Sequence, residues 1–250
     1  MSDIDRIERE KNFHDNRFGG ADDERHSARK YYSINKHQEA KFVDVISSLC
    51  NNKNLLEYGC GSGEKSLQWQ KFGAKVTGID ISPEGIKKAK KIDAKSEYHA
   101  EYFVMNAENT EFDDSTFDIV VGKGIIHHLS LEKSYSELSR ILKSNGHIVF
   151  IEPLGHNPFV NLYRMLTPKM RTKDEHPLKI KDIELLRKYF NNVEADYFSL
   201  FTLFAVPFRN LSIFNKICNF LRNIDQLIFK LPFIKRYAWT VITHAYNPRK

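Results

Sequence analysis

The chain has 250 residues, 41% of them hydrophobic and 28% charged, with a formal net charge of +6; this suits one sizeable α/β core and excludes a disordered or fibrous chain. Its three scattered cysteines, Cys50, Cys60 and Cys218, exclude a disulfide framework and a cysteine-held zinc site. No apolar run reaches the ~18 residues of a membrane span and the polar start carries no secretory signal, so a cytoplasmic location is expected, with a modest positive charge that suits an acidic substrate or an anionic surface.

Residues 1–30 are rich in charge and poor in aliphatics. Asp5 to Lys11 predicts the start of a helix, and Gly19-Gly20-Ala21-Asp22-Asp23-Glu24 a loop. Phe13, Phe18, Tyr31 and Tyr32 are the apolar exceptions, suited either to pinning an N-terminal arm to the body or, for the tyrosines, to closing over a ligand. Ala40, Phe42, Val43, Val45, Ile46 and Leu49 then recur at helical spacing.

The apolar run Leu55-Leu56 reaches Glu57-Tyr58 and the turn Gly59-Cys60-Gly61-Ser62-Gly63, after which Glu64-Lys65-Ser66-Leu67 opens a helix. Glycines at alternate positions allow positive φ and let a ligand approach the backbone, and the helix start beyond them can hold an anionic group. The dinucleotide fingerprint G-x-G-x-x-G fails, because Glu64 stands where its third glycine belongs. The pattern is E-x-G-x-G-x-G. A second strand, Lys75–Ile79, ends at Asp80, a carboxylate placed to accept from ribose hydroxyls, so a nucleoside-bearing cofactor is implied.

Ser82 and Pro83 read as the N-cap and first position of a helix to about Ile92, whose lysines make a solvated face. Glu101 to Met105 predicts a third strand before the turn Asn106-Ala107-Glu108, and Phe117 to Gly122 a fourth, before Lys123-Gly124-Ile125-Ile126-His127-His128-Leu129. Ends of central parallel strands are where open α/β sheets bind ligands. There the histidine pair is either structural or supplies a base. A helix Leu131–Leu142, a turn at Lys143-Ser144-Asn145-Gly146 and a fifth strand His147–Ile151 ending in Glu152-Pro153 follow. Beyond lie a mixed loop with His156, Arg164, Arg171 and His176, a helix Asp182–Phe190, a sixth strand from Val193 to about Phe198 and a seventh from Trp239 to Tyr246. The connection at about 200–237 carries Phe214, Ile217, Leu221, Ile224, Ile228 and Leu231 in an apolar stripe among Arg209, Lys216, Arg222, Lys230, Lys235 and Arg236, with Asp225 its single acid. It either walls a substrate pocket or forms a basic amphipathic surface for an anionic membrane or a lipid-like substrate.

In these motifs the chain resembles the class I S-adenosylmethionine-dependent methyltransferases that act on small molecules and lipids. The likeness covers roughly residues 35–153: the glycine turn, Asp80, the Asn106 turn, the His127-His128-Leu129 segment and the strand ending in Glu152-Pro153. It implies a Rossmann-like, mostly parallel seven-stranded sheet of order 3-2-1-4-5-7-6, its last strand antiparallel, with helices on both faces, an N-terminal helical cap and a helical insertion before the last strand. One domain over 1–250 is expected: an arm and helix at 1–50, a cofactor half at 51–153 and a substrate side at 154–250. By the resemblance S-adenosylmethionine is the cofactor, held by Glu57, Gly59, Cys60, Gly61, Gly63, Asp80, Ile81, Asn106, Ala107 and Lys123. Methyl transfer to an O, N or C atom of a small-molecule or lipid-like acceptor is expected, with His127, His128, Glu152 and His156 as candidate catalytic groups. No metal-ligand cluster, serine-hydrolase signature, P-loop or nucleic-acid module is recognisable. A nicotinamide oxidoreductase is disfavoured by the missing glycine. A different reaction on the same cofactor, and a cofactor-binding scaffold without turnover, remain as alternatives.

Overall fold

A computed structural model describes residues 3–20, 31 and 33–250. Residues 21–24 of the expected loop, and Tyr32, lie outside them. Helices α1 (Asp3–Gly19) and α2 (Lys36–Leu49) precede β1 (Asn54–Tyr58), α3 (Glu64–Lys71), β2 (Lys75–Asp80), α4 (Pro83–Asp93), β3 (Glu101–Val104) and β4 (Phe117–Lys123). The second half holds α5 (Leu131–Ile141), β5 (Leu142–Pro153), α6 (Pro158–Leu166), α7 (Ile180–Leu185), β6 (Phe190–Phe198), α8 (Phe214–Ile228) and β7 (Thr240–Pro248). The strands form one sheet in the order β3-β2-β1-β4-β5-β7-β6, as the resemblance implied. β7 runs antiparallel to both its neighbours, β5 and β6.

The central strands are apolar on both faces, as a parallel sheet covered on both sides requires. Period-two alternation divides the core. Leu56, Val120, Ile148 and Phe150 join Tyr135, Leu138 and Ile141 of α5 on one face. Leu55, Ile119, Val121, Val149 and Ile151 meet Phe42 and Ile46 of α2 and Trp69 of α3 on the other. Local signals start the helices as expected. Ser82 Oγ accepts from the Gly85 N–H at 3.0 Å with Pro83 in the first turn, and Gly63 opens α3 with φ +75°.

Three expectations are corrected. The turn at Lys143–Gly146 is absorbed into β5 as an irregularity: Phe117 pairs with Leu142 but Ile119 with His147. Lys143 Nζ donates to Asp118 at 2.8 Å and secures this excursion. The helix expected to reach Phe190 stops at Leu185 and tightens into a 3-10 turn at 186–188. The sixth strand accordingly starts at Phe190, three residues early, where Phe190 is fully buried and pairs with Pro248.

Candidate active site

The carboxyl ends of β1, β2 and β4 build the first cavity, about 260 Å³ in volume. Gly59, Gly61 and Gly63 all take positive φ (75°, 52° and 75°). The turn they make is held by Asp80, whose Oδ2 accepts from Gly61 N–H at 2.8 Å and Oδ1 from Ser82 N–H at 2.9 Å. Each carboxylate oxygen keeps a further acceptor site, so Asp80 supports the turn and still faces the cavity. Burial raises its carboxyl above the ordinary range. Glu57, buried at the end of β1, accepts from Ser66 Oγ; burial pushes its carboxyl up to about 8, against Ser66 and Lys65, which lower it.

Cys60, Ile81, Asn106, Ala107 and Lys123 line the same cavity with Glu57, Gly59, Gly61 and Asp80. Gly63 is set back, where an added Cβ would lie 2.9 Å from Ala89 Cβ. Cys60 is a buried thiol driven upward in pKa by burial. Asn106 Oδ1 accepts from the Glu108 N–H at 3.0 Å and shapes its turn. Lys123 Nζ is paired with Glu39.

A larger cavity of about 800 Å³ lies beside the first, and Arg17, Lys123, Gly124 and His128 line both. Its inner end is polar. Glu152 is fully buried, and its Oε1 accepts from the N–H groups of Ile125 and Ile126 at 3.0 and 2.9 Å. Its Oε2 lies 2.6 Å from His127 Nδ1. A carboxylate so engaged only accepts, so Nδ1 carries the proton and Nε2 is the basic nitrogen. Nε2 lies 3.6 Å from Glu175 Oε1. Burial lowers the His127 pKa, opposed by Glu152. The outer walls are largely apolar and aromatic: Tyr31, Phe159, Tyr163, Leu203, Phe204 and Trp239.

The sequence-stated candidates thus separate. His128 lines both cavities and His127 the larger one. Glu152 lines the larger one, but both its oxygens are engaged, so it orients His127 instead of presenting a free base. His156 lines neither cavity; burial, with Arg236 and Lys179, lowers its pKa. Arg164 and Arg171 do border the larger cavity. Arg164 donates to the Leu154 carbonyl and Asn161 Oδ1, and Arg171 to the carbonyls of Arg164 and Thr167, so both brace the wall. Burial lowers Arg164 to about 10. His176 is exposed, and its backbone N–H pins the loop to the His127 carbonyl at 2.8 Å.

Sequence reasoning passed over Glu10, His14 and Arg17 of α1. This helix crosses the first cavity. Arg6 grips Glu108 with both carboxylate oxygens at 2.6 and 2.7 Å, Arg9 grips Asp174 at 2.7 and 2.9 Å, and Asp15 accepts from Ser82. The Phe18 ring rests on the turn so closely that a Cβ on Gly61 would lie 2.9 Å from it. The only available signal was the spacing of Glu10 and His14, one helical turn apart.

Residues 56–150 match a family model described as a methyltransferase domain. Ajmaline N-methyltransferase of Rauvolfia serpentina is 30% identical over 194 residues, covering 72% of this chain and 60% of the relative. Demethylmenaquinone methyltransferase of Chlorobaculum parvum is 34% identical over 102 residues, 40% of this chain and 41% of the relative. The chain therefore spans roughly two to three fifths of the curated relatives it matches. In fold it resembles Haemonchus contortus phosphoethanolamine N-methyltransferase 2, solved with phosphomonomethylethanolamine and S-adenosylhomocysteine. The TM-score is 0.62 and identity 19%, over 88% of this chain and 56% of that one.

Proposed function

We propose, for a chain that belongs to the class I S-adenosylmethionine-dependent methyltransferases, that it transfers a methyl group to a nucleophilic atom of an amphipathic small-molecule or lipid-like acceptor. The observation that carries this reading is the common wall of the two cavities, Arg17, Lys123, Gly124 and His128. In this reading it sets a cofactor site beside an acceptor site. The glycine turn and Asp80 fit the cofactor: the turn offers backbone without Cβ atoms, and Asp80 has acceptor capacity left for ribose hydroxyls. When bound, the cofactor supplies a methyl group on a sulfonium that is already a good leaving group. The protein's task is then alignment and exclusion of water.

For a hydroxyl or ammonium acceptor a proton must leave. In this reading His127 Nε2 takes it, while Glu152 holds the Nδ1–H and steadies the charged ring. Glu175, which lines the larger cavity with its Oε1 3.6 Å from His127 Nε2, is in this reading the carboxylate nearest the incoming donor group. The relatives are named for different acceptors, which supports the reaction and leaves the acceptor to the cavity. Its 800 Å³, polar within and aromatic at the rim, suits a bulky molecule with one polar end. In this reading an anionic membrane surface is the partner that fits the apolar exterior of α6 and the apolar and basic exterior of α8.

The test is incubation with labelled methyl donor and whole-cell extract, sorting label between organic and aqueous phases. Label in organic-soluble products is expected. His127→Asn should lower kcat about 100-fold or more with little change in acceptor KM. Label confined to small aqueous products would remove the amphipathic acceptor, and an unchanged kcat in His127→Asn would remove the base.

A further inference from the structure

Glu10 and His14 stand four residues apart on α1 and so share one face. That face meets the short turn Ile126–His128. Glu10 Oε2 lies 3.0 Å from His128 Nδ1 and 3.7 Å from His14 Nε2, and one donor atom from each residue falls within 4.8 Å of the others. Glu10 keeps only 4% and His128 5% of its surface. Glu10 Oε2 and His128 Nδ1 face each other at 3.0 Å as an ion pair, but neither atom has an aligned hydrogen-bond partner among the described residues. Sealed polar atoms in that condition are costly, so they point to something held between them.

We propose that Glu10, His14 and His128 form a site for a divalent transition-metal ion of the zinc type, which clasps α1 to the turn at 126–128. Two imidazole nitrogens and one carboxylate suit zinc, cobalt, nickel or iron, whereas magnesium and calcium want an all-oxygen shell. Ligands bonded at ~2.0–2.2 Å around a tetrahedral ion stand about 3.3 Å apart, and the observed 3.0 and 3.7 Å straddle that separation. Glu10 Oε1 accepts from Thr172 Oγ1, an outer contact that fixes the carboxylate and leaves Oε2 for the metal. Arg6, which reaches the same turn, is spent on Glu108 and on the His128 carbonyl, so it does not neutralise Glu10. Three protein ligands leave a fourth position, and all three residues line the cofactor cavity. The site stands whether or not the chain transfers methyl groups.

The experiment strips the full-length protein with chelator and titrates it with Co²⁺, reading visible ligand-field absorption and the melting temperature. One equivalent should bind, raise the melting temperature and be displaced by Zn²⁺. Glu10→Gln and His14→Ala, shown to be folded by circular dichroism, should lose at least about 100-fold in Co²⁺ affinity. The part-buried pair His147 and His244, with ring nitrogens 3.0 Å apart, is a competing imidazole pair, and His244→Ala should leave the bands unchanged. Bands that persist in Glu10→Gln and His14→Ala, bands lost in His244→Ala, or no binding by the folded wild-type chain at millimolar Co²⁺ would each overturn the proposal.

Discussion

Asp80 and Gly61 make the sharpest claim about single residues. Gly61 sits at φ +52°, where other residues are strained, with the Phe18 ring directly over it. Gly61→Arg should abolish binding of S-adenosylhomocysteine in calorimetry while the core melts normally. Asp80→Ala should weaken it about 10- to 100-fold, because hydrogen bonds to a charged group are worth ~1.5–3 kcal/mol. Glu57 carries a pH signature. Burial raises its carboxyl from 4.5 to about 8 in the folded chain. Across that window the folded state holds a proton that the unfolded state has released, so stability falls as pH rises and is fully present only below about 4.5. Urea midpoints measured from about pH 5 to 8 should decline for the wild type and slope less steeply for Glu57→Gln.

Helix α8 shows how an element can be explained by where it sends its one acid. Asp225 turns inward and accepts from the N–H groups of Leu200, Phe201 and Thr202 and from Thr202 Oγ1, capping the short helical turn at 202–208. Residues 200–237 then present no acid outward: their exposed cations and apolar side chains stand among neutral ones such as Asn215, Asn219 and Asn223. Of the sixteen large hydrophobics exposed among the described residues, twelve fall within 159–233. Ile213, the residue before α8, and Phe220 and Leu227 on it recur every seven residues, beside exposed Lys216 and, just past its end, Lys230. The Phe159 and Phe204 rings, 5.5 Å apart, join this face to α6 and to the rim of the larger cavity. An apolar stripe flanked by lysines fits an anionic bilayer, each lysine adding ~1 kcal/mol near such a surface. Phe220→Glu with Leu227→Glu should abolish co-sedimentation with phosphatidylserine vesicles and leave the melting temperature nearly unchanged, since both side chains are about two-thirds exposed (66% and 64%). Retained sedimentation would discard the membrane reading.

At the scale of the whole molecule, the sheet and the turn that borders the first cavity were legible because their signals are local. Glu57 to Gly63 form one turn, and Asp80 ends the strand paired directly with β1. The rest depends on contacts across the chain. Glu152 looked like a free acid until the fold brought the N–H groups of Ile125 and Ile126 to it. Asp174 and Glu10 acquired meaning only when α1 lay across the loop at 171–176. His156, adjacent in sequence to the expected site, is turned away by the geometry beyond β5. The position of α1 also has a consequence for the order of events. Because the helix is tied down at Glu108, Asp174 and Ser82 and borders both cavities, the proposed function predicts that departure of the spent nucleoside is slowed until those ties part. Rapid mixing should therefore give a first round of product as large as the enzyme concentration, followed by a slower steady rate. Arg6→Ala, with one tie cut, should quicken the slow phase and leave the initial round untouched.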